Sequence, residues 1–118
     1  MLTNLTLLKN LINIFYVAIG AVVGGIVGSY LDNVIISNSI GSYLIGLFIG
    51  LSLKGGIRLF LVVGFCGSLT TFSGWIYNFF LILKNGSIFE AFLYILFILG
   101  LGIIFVYLGF FSSKKLTF

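Results

Sequence analysis

The chain has 118 residues, of which 61% are hydrophobic and only 7% are charged, with 14 Phe, 16 Gly and no Pro. This length suits one domain, residues 1–118, and a soluble domain would carry roughly a quarter charged residues, so we predict an integral membrane protein. Because there is no His and Cys66 is the only Cys, imidazole chemistry, an internal disulfide and a multi-thiolate metal site are excluded.

Eight charged residues divide the chain into charge-free windows. The four long windows contain 22, 21, 25 and 23 residues and cover 10–31, 33–53, 59–83 and 91–113. A helix needs roughly 20 apolar residues to cross a bilayer, whereas barrel strands are about half as long. We therefore predict an all-α membrane protein with four transmembrane helices joined by short loops, and the lipid bilayer as its surroundings.

The charges also predict an orientation. With four spans, the two termini and the 54–58 loop share one side of the membrane. The basic residues of that side are Lys9, Lys54, Arg58, Lys114 and Lys115, and the charged residues of the other side are Asp32, Lys84 and Glu90. The positive-inside rule then predicts that both termini are cytoplasmic, in the cell (inner) membrane. Basic residues spread over separate loops do not predict a nucleic-acid partner.

The first window carries a small-residue pattern. Gly20, Gly24 and Gly28 follow each other at a spacing of four and so fall on one helix face. Small residues at this spacing allow close approach of membrane helices. We therefore expect a helix-packing face at these three glycines.

The second window has an isolated polar residue near its start. The amide of Asn38 can donate a hydrogen bond to an anion in a region where donors are scarce. The alternative is an ordinary helix-terminal cap. The sequence leaves both interpretations open.

The third window contains a polar stretch, GFCGSLTTFSG at residues 64–74. Gly disfavours a continuous helix by about 1 kcal/mol relative to Ala, and Ser and Thr offer the backbone competing hydrogen bonds. We therefore predict a broken third helix whose freed carbonyl groups must be met by protein, water or an ion. The alternative is an unbroken helix that carries a polar packing face.

Two aromatic residues lie at the end of this stretch and directly after it. Phe72 and Trp75 lie three residues apart and project from one helical face. Because aromatic edges carry partial positive charge, they can hold a small anion without the deep trap of a Lys or Arg. Plain packing of the two rings is the alternative.

At this point the sequence resembles the CrcB (Fluc) family of fluoride channels. Residues 64–73, GFCGSLTTFS, resemble its third-helix signature, G-x-x-G-G-L-T-T-F-S. Residues 38–46, NSIGSYLIG, resemble its second-helix pattern, N-x-x-G-S-F-x-x-G, with Tyr43 in place of Phe. The resemblance implies a fluoride-specific channel that exports fluoride passively and lowers its cytoplasmic concentration.

The resemblance further implies an antiparallel, dual-topology dimer with two fluoride pathways. Its structural sodium ion would be held by the backbone carbonyls of Gly67 and Thr70. The pathway positions carried over from the family are Asn38, Phe72 and Trp75, with Thr71 and Ser73 lining the break. Trp75 stands where the family normally has Phe.

The chain departs from the family pattern at several positions. Ser29 precedes Tyr30 where an Arg is usual, Asn78 replaces an acidic residue, and Ile98 follows Tyr94 where a hydroxyl is expected. A chain that inserts both ways needs nearly balanced loops, and these loops are strongly biased. We therefore hypothesise that the chain is one half of a heterodimer with an oppositely oriented paralogue.

Other functions are less consistent with the sequence. A small multidrug-type transporter needs a membrane-embedded carboxylate, and none of the four windows contains one. A non-conducting structural subunit of a membrane complex fits the composition but does not require the 64–73 motif. An enzyme is not expected, because no nucleophile–base set is present.

Overall fold

A computed structural model describes residues 1–116, which are helical throughout apart from short connections and contain no β-strand. The helices are α1 (Leu2–Leu31), α2 (Val34–Gly50), α3 (residues 55–69), α4 (Phe72–Asn85) and α5 (Ile88–Leu116). The predicted all-α class is confirmed.

Three stretches have the length and apolarity to cross a membrane. They are Leu2–Leu31, Gly55–Asn85 and Ile88–Leu116. Val34–Gly50 is equally apolar in character but has 17 residues, fewer than the roughly 20 that a perpendicular span requires. The chain is a multi-pass membrane protein.

The helix ends differ from the charge-free windows for local reasons. Residues 1–9 contain no Gly or Pro, so α1 already begins at Leu2. The second helix, α2, ends at Gly50, before the end of its charge-free window. It ends there because the chain then turns through left-handed backbone at Ser52 (φ 56°) and Gly55 (φ 67°).

The turn between α1 and α2 contains its own helix cap. Asp32 adopts left-handed backbone with φ 45° and ends α1. The side chain of Asn33 accepts hydrogen bonds from the amides of Ile35 and Ile36 at 2.9 and 3.1 Å. Asn33, and not Asn38, is therefore the N-cap of α2.

Glycines of α1 lie directly against α3. A Cβ atom at Gly20 would clash with the carbonyl oxygen of Phe60, and one at Gly24 would clash with that of Phe65. Gly28 lies further from α3, at ordinary contact distance from Leu69. The predicted small-residue face thus lies within one chain, where it lets the backbones of two helices approach closely.

Glycines also bring α2 and α5 together. Gly46 lies against the backbone of Val106, and Gly109 lies against the backbone of Tyr43. Gly46 and Gly109 are both buried. This reciprocal contact fixes α5 along α2, and α5 thereby forms a wall beside the polar start of α2.

These contacts place the basic residues toward one end of the molecule. Gly50 at the end of α2 meets Ser113 near the end of α5, and Gly56 at the start of α3 meets the Tyr16 ring of α1. Five basic residues belong to this end. They either flank these contacts or lie between them and the nearer end of the helix: Lys9, Lys54, Arg58, Lys114 and Lys115. Asp32, Lys84 and Glu90 belong to the α1–α2 and α4–α5 connections and their flanking turns.

The large apolar side chains point outward. Phe15, Phe89 and Ile103 are 68%, 68% and 69% exposed, whereas the buried apolar residues are few and include Cys66, Leu69 and Ala91. Such an outward apolar surface is expected of a protein that has lipid as its solvent.

Candidate ion site

The helical conformation of the third segment stops halfway along it. α3 consists of a first turn, Gly55–Arg58, a π-helical segment, Leu59–Cys66, and a last turn, Gly67–Leu69. Thr70 (φ −80°, ψ 140°) and Thr71 (φ −131°, ψ 116°) are extended, and α4 begins at Phe72. The Thr70 N–H still donates to the Cys66 carbonyl at 3.0 Å, as in a helix, but its own backbone leaves the helical conformation. Two residues with extended backbone therefore separate two helices of similar length.

Side chains from the start of α2 pair with the backbone freed by this interruption. The Ser37 hydroxyl donates to the Leu69 carbonyl at 2.6 Å. The Asn38 side chain donates from Nδ2 to the Thr71 carbonyl at 3.2 Å and accepts from the Thr71 N–H at Oδ1, at 2.7 Å. Because the Thr71 N–H can only donate, these bonds fix the orientation of the amide. One Asn38 N–H remains available for another acceptor.

Gly41 completes this contact between α2 and the interruption. A Cβ atom at Gly41 would clash with the Thr70 methyl group. Ser37, Asn38 and Gly41 therefore contact Leu69, Thr71 and Thr70 respectively, so that a single turn of α2 holds all three residues.

The second half of the interruption forms the start of α4. The Thr71 hydroxyl accepts from the Gly74 N–H at 3.1 Å and lies 3.2 Å from the Ser73 hydroxyl. Thr71 is thus the N-cap, and the first amides of a 14-residue helix follow it. A helix N-terminus carries partial positive charge and free N–H groups, which favour an anion.

The first half of the interruption instead exposes carbonyl oxygens. The Thr70 hydroxyl donates to the Cys66 carbonyl at 3.0 Å and reaches the Gly67 carbonyl only at 3.5 Å. No hydrogen bond from residues 1–116 reaches the Thr70 carbonyl oxygen. Gly67 is exposed, and a Cβ there would meet no atom within 4 Å. Carbonyl oxygens of this kind suit a hard cation such as sodium.

A cavity of about 530 Å³ lies between α2, the interruption and α5. Its polar and aromatic lining residues are Asn38, Ser39, Ser42, Thr70, Thr71, Phe72, Trp75 and Tyr107. Five predicted site residues, Asn38, Thr70, Thr71, Phe72 and Trp75, therefore share one cavity. Ser73 and Gly67 are outside this lining, although Ser73 contacts Thr71.

The two predicted aromatic residues lie edge to face. The ring centroids of Phe72 and Trp75 are 4.8 Å apart with an angle of 85° between the ring planes. Phe72 is 70% exposed although it is apolar. The Trp75 indole N–H has no hydrogen-bond partner in the part of the chain that the structure describes. Both rings line the cavity, and aromatic ring edges and an indole N–H carry partial positive charge.

The structure adds residues that the sequence analysis did not single out for the site. Ser37 and Gly41 hold the interruption, and Ser39 and Ser42 line the cavity. A sequence pattern could have indicated them, because Ser37 and Gly41, and likewise Asn38 and Ser42, are spaced four apart and so share a helix face. The α5 wall could not be identified in this way, because its residues are almost entirely apolar.

Two departures from the family pattern, at Ser29 and Ile98, have visible consequences, and Tyr94 lies near the second. Ser29 donates to the Ile26 carbonyl of its own helix at 2.6 Å, so its hydroxyl is used locally. Ile98 gives the cavity an apolar wall. The Tyr94 hydroxyl is buried and has no hydrogen-bond partner among the described residues. The polar lining of the cavity is therefore supplied mainly by α2 and the interruption, while α5 contributes Tyr107 to an otherwise apolar lining.

Comparisons with known proteins identify the family of the chain. A family profile for CrcB-like proteins (camphor resistance, CrcB) matches residues 15–110. Fluoride-specific ion channel FluC 1 of Prochlorococcus marinus strain SARG is 42% identical over 70% of this chain and 67% of its own length. A second FluC 1, from P. marinus strain NATL2A, is 34% identical over 87% of this chain and 90% of its own. FluC of Thermus thermophilus strain ATCC 27634 is 39% identical over 78% of each chain.

The family resemblance found in the sequence is confirmed by these matches. The chain belongs to the CrcB family, and the relatives compared above are named fluoride-specific ion channels.

Proposed function

We propose that this protein is a fluoride-specific channel that exports fluoride passively across the cell membrane and so limits its toxicity. Fluoride that enters as the weak acid HF ionises inside the cell, and the channel returns the anion down its gradient. The relatives belong to an ion-channel family and not to a family of enzymes. The observation that carries the proposal is the interruption at Thr70 and Thr71, held by Asn38 beside an aromatic-edged cavity.

The groups around this cavity suit a small, strongly hydrated anion. The second Asn38 N–H, the Thr71 and Ser73 hydroxyls, and the edges of Phe72 and Trp75 would replace part of the hydration shell of fluoride. The positive end of α4 adds to the favourable potential. No Lys or Arg lines the cavity, so binding would be adequate without being too deep for conduction.

A structural sodium ion is the second part of the proposal. The Gly67 and Thr70 carbonyl oxygens would hold it, because the only hydroxyl contact to Gly67 is long and the Thr70 oxygen accepts no hydrogen bond from residues 1–116. Two oxygens are too few for a cation, so a second chain would supply the others. The test is elemental analysis of protein desalted into choline buffer, where retained sodium of one ion per dimer is expected.

The partner chain is proposed to be antiparallel. The bias of basic residues toward one end favours one insertion direction, with the termini cytoplasmic. Some relatives carry the names FluC 1 and FluC 2, which is consistent with pairs of paralogues. We therefore propose a heterodimer with an oppositely oriented paralogue, in which each of four helical segments per chain spans the membrane.

Fluoride efflux from liposomes, followed with a fluoride electrode, tests the function and the pairing together. The chain alone and the chain co-expressed with a paralogue are reconstituted separately. Efflux that needs both polypeptides supports the whole proposal, and robust efflux by this chain alone supports the channel but overturns the pairing. Absence of fluoride-selective efflux from both preparations would overturn the function.

The alternative functions lack a supporting observation. A multidrug-type transporter needs a carboxylate inside the membrane, yet Asp32 lies in the α1–α2 turn and Glu90 lies in the first turn of α5. A scaffold subunit would not need a paired interruption or a cavity beside it.

A further inference from the structure

A second, smaller cavity lies at the basic end of the molecule, away from the ion site. It has a volume of about 250 Å³ and is formed by the end of α2, the 51–54 connection and the start of α3. Its polar lining residues are Ser52, Lys54 and Arg58, and its apolar lining includes Phe48, Ile49 and Val62. None of these residues lines the cavity beside Asn38, so the two cavities are separate.

The two cations of this cavity have no counter-charge among residues 1–116. No salt bridge is formed by Lys54 or Arg58 with any residue of 1–116. The two acidic residues of the chain lie elsewhere, since Asp32 is at the opposite end of α2 and Glu90 is in the first turn of α5, far along the helix from Ser113. A helix of 17 residues puts Asp32 about 25 Å from the Lys54 end. The cavity therefore has an uncompensated positive charge.

The chemistry of the lining points to a particular kind of ligand. An Arg guanidinium matches the oxygens of a phosphate group, and a neighbouring Lys and hydroxyl can complete its hydrogen bonding. The apolar side chains of α2 and α3 continue from this polar group along the outer surface of the helices. A ligand that satisfies both parts carries a phosphate next to an aliphatic chain.

We propose that Ser52, Lys54 and Arg58 bind the headgroup phosphate of an anionic phospholipid, whose acyl chain lies against Phe48, Ile49 and Val62. Anionic lipids are concentrated where basic loop residues of membrane proteins lie, and each Lys or Arg strengthens the attraction. The lipid would join α2 to α3 at the end opposite to the α1–α2 turn. Because α2 and α3 meet again at the interruption, the bound lipid would stabilise the arrangement of the helices that form the ion site.

Native mass spectrometry of the full-length protein in detergent tests this proposal. The probe is dioleoylphosphatidylglycerol, compared with zwitterionic dioleoylphosphatidylcholine and with inorganic phosphate. We expect retention of phosphatidylglycerol, weaker retention of phosphatidylcholine, and no displacement of the lipid by inorganic phosphate at equal concentration. Displacement by inorganic phosphate would overturn the lipid as the ligand and indicate a site for free anions.

Variants locate the site. Arg58→Gln and Lys54→Gln should each lower phosphatidylglycerol affinity about fivefold, as expected for removal of one cation near a membrane surface. The matched control is Lys84→Gln, which removes one charge from the opposite end of the chain and should leave the affinity unchanged. Equal affinity in all three variants would overturn the proposal. Arg58→Lys, which keeps the charge but loses the planar fork, provides a second comparison if Arg58→Gln fails to elute as folded protein.

Discussion

Asn38 replaces a missing backbone partner for Thr71. Its side-chain amide accepts from the Thr71 N–H at 2.7 Å and donates to the Thr71 carbonyl at 3.2 Å, as a neighbouring peptide group in a β-ladder would. An extended residue in the middle of a membrane segment cannot leave both groups unpaired, because each costs several kcal/mol in hydrocarbon. The same amide still has one N–H to offer to an anion, so the proposed conducting role would coincide with this structural role in one side chain.

Replacement of Asn38 by Ala should remove the structural and the proposed conducting role together. Asn38→Ala leaves the Thr71 N–H and carbonyl unpaired, and we expect a loss of about 1–3 kcal/mol in the free energy of unfolding together with a loss of fluoride efflux. Thermal unfolding in detergent measures the first effect. Asn78→Ala is the control, because this amide of α4 forms no hydrogen bond among residues 1–116, and equal destabilisation by both changes would contradict the assignment.

Asn38→Asp is a sharper test of conduction. The carboxylate can still accept from the Thr71 N–H, but it cannot donate to the Thr71 carbonyl or to an anion, and it repels fluoride. We expect folded, assembled protein without efflux. Efflux equal to that of the unmodified protein would show that this amide does not face the fluoride pathway.

Phe72→Ile tests the aromatic edge. Isoleucine keeps an apolar side chain of moderate size but has no ring to present to an anion or to Trp75. Loss of an aromatic contact worth roughly 1.4 kcal/mol should slow efflux about tenfold while the protein still assembles. Phe80→Ile, also exposed on α4 but outside the cavity lining, is the matched control and should retain efflux. If the protein were only a scaffold, Phe72→Ile and Phe80→Ile would have the same effect on its assembly, and neither would change fluoride efflux.

Trp75 offers a spectroscopic test that does not depend on flux. It is the only Trp of the chain, so indole emission reports on this position alone. Because its N–H is unpaired among the described residues and its ring meets Phe72, we expect fluoride to change the emission in a saturable way. Chloride at equal ionic strength should not do so, and Phe72→Ile should weaken the response. An identical response to both halides would contradict fluoride binding beside Trp75.

Gly24→Ala tests the packing of α1 on α3. A methyl group there would clash with the Phe65 carbonyl oxygen and the Ser68 hydroxyl, so we expect a loss of about 1–3 kcal/mol in stability. Gly25→Ala adds the same atoms where nothing lies within 4 Å, and helix propensity makes it neutral or slightly stabilising. Thermal unfolding of both variants provides the comparison, and equal losses would contradict this packing.

The residues of the site could be predicted in part because their signals are local. Gly, Ser and Thr at residues 67–71 disfavour a helix wherever they occur, and the spacing of Phe72 and Trp75 determines a shared face. The role of Asn38 was left open between a cap and an anion donor. The structure assigns the cap to Asn33, which the pattern did not distinguish because both amides lie at the start of the same helix.

The membrane class of the protein and the bias of its charges follow from the sequence alone. Apolar segments of this length partition into lipid, and basic loop residues favour one side of the membrane, whatever the rest of the chain contacts. Tertiary structure alone decided which groups meet the freed backbone of residues 69–71, because Ser37, Asn38 and Gly41 lie more than 25 positions away and are brought there by close packing at glycines. It also decided that the wall facing them is apolar, because α5 takes its position from contacts of Gly46 and Gly109. Hydrogen bonds between distant segments depend on such packing, and no local pattern of residues contains that information.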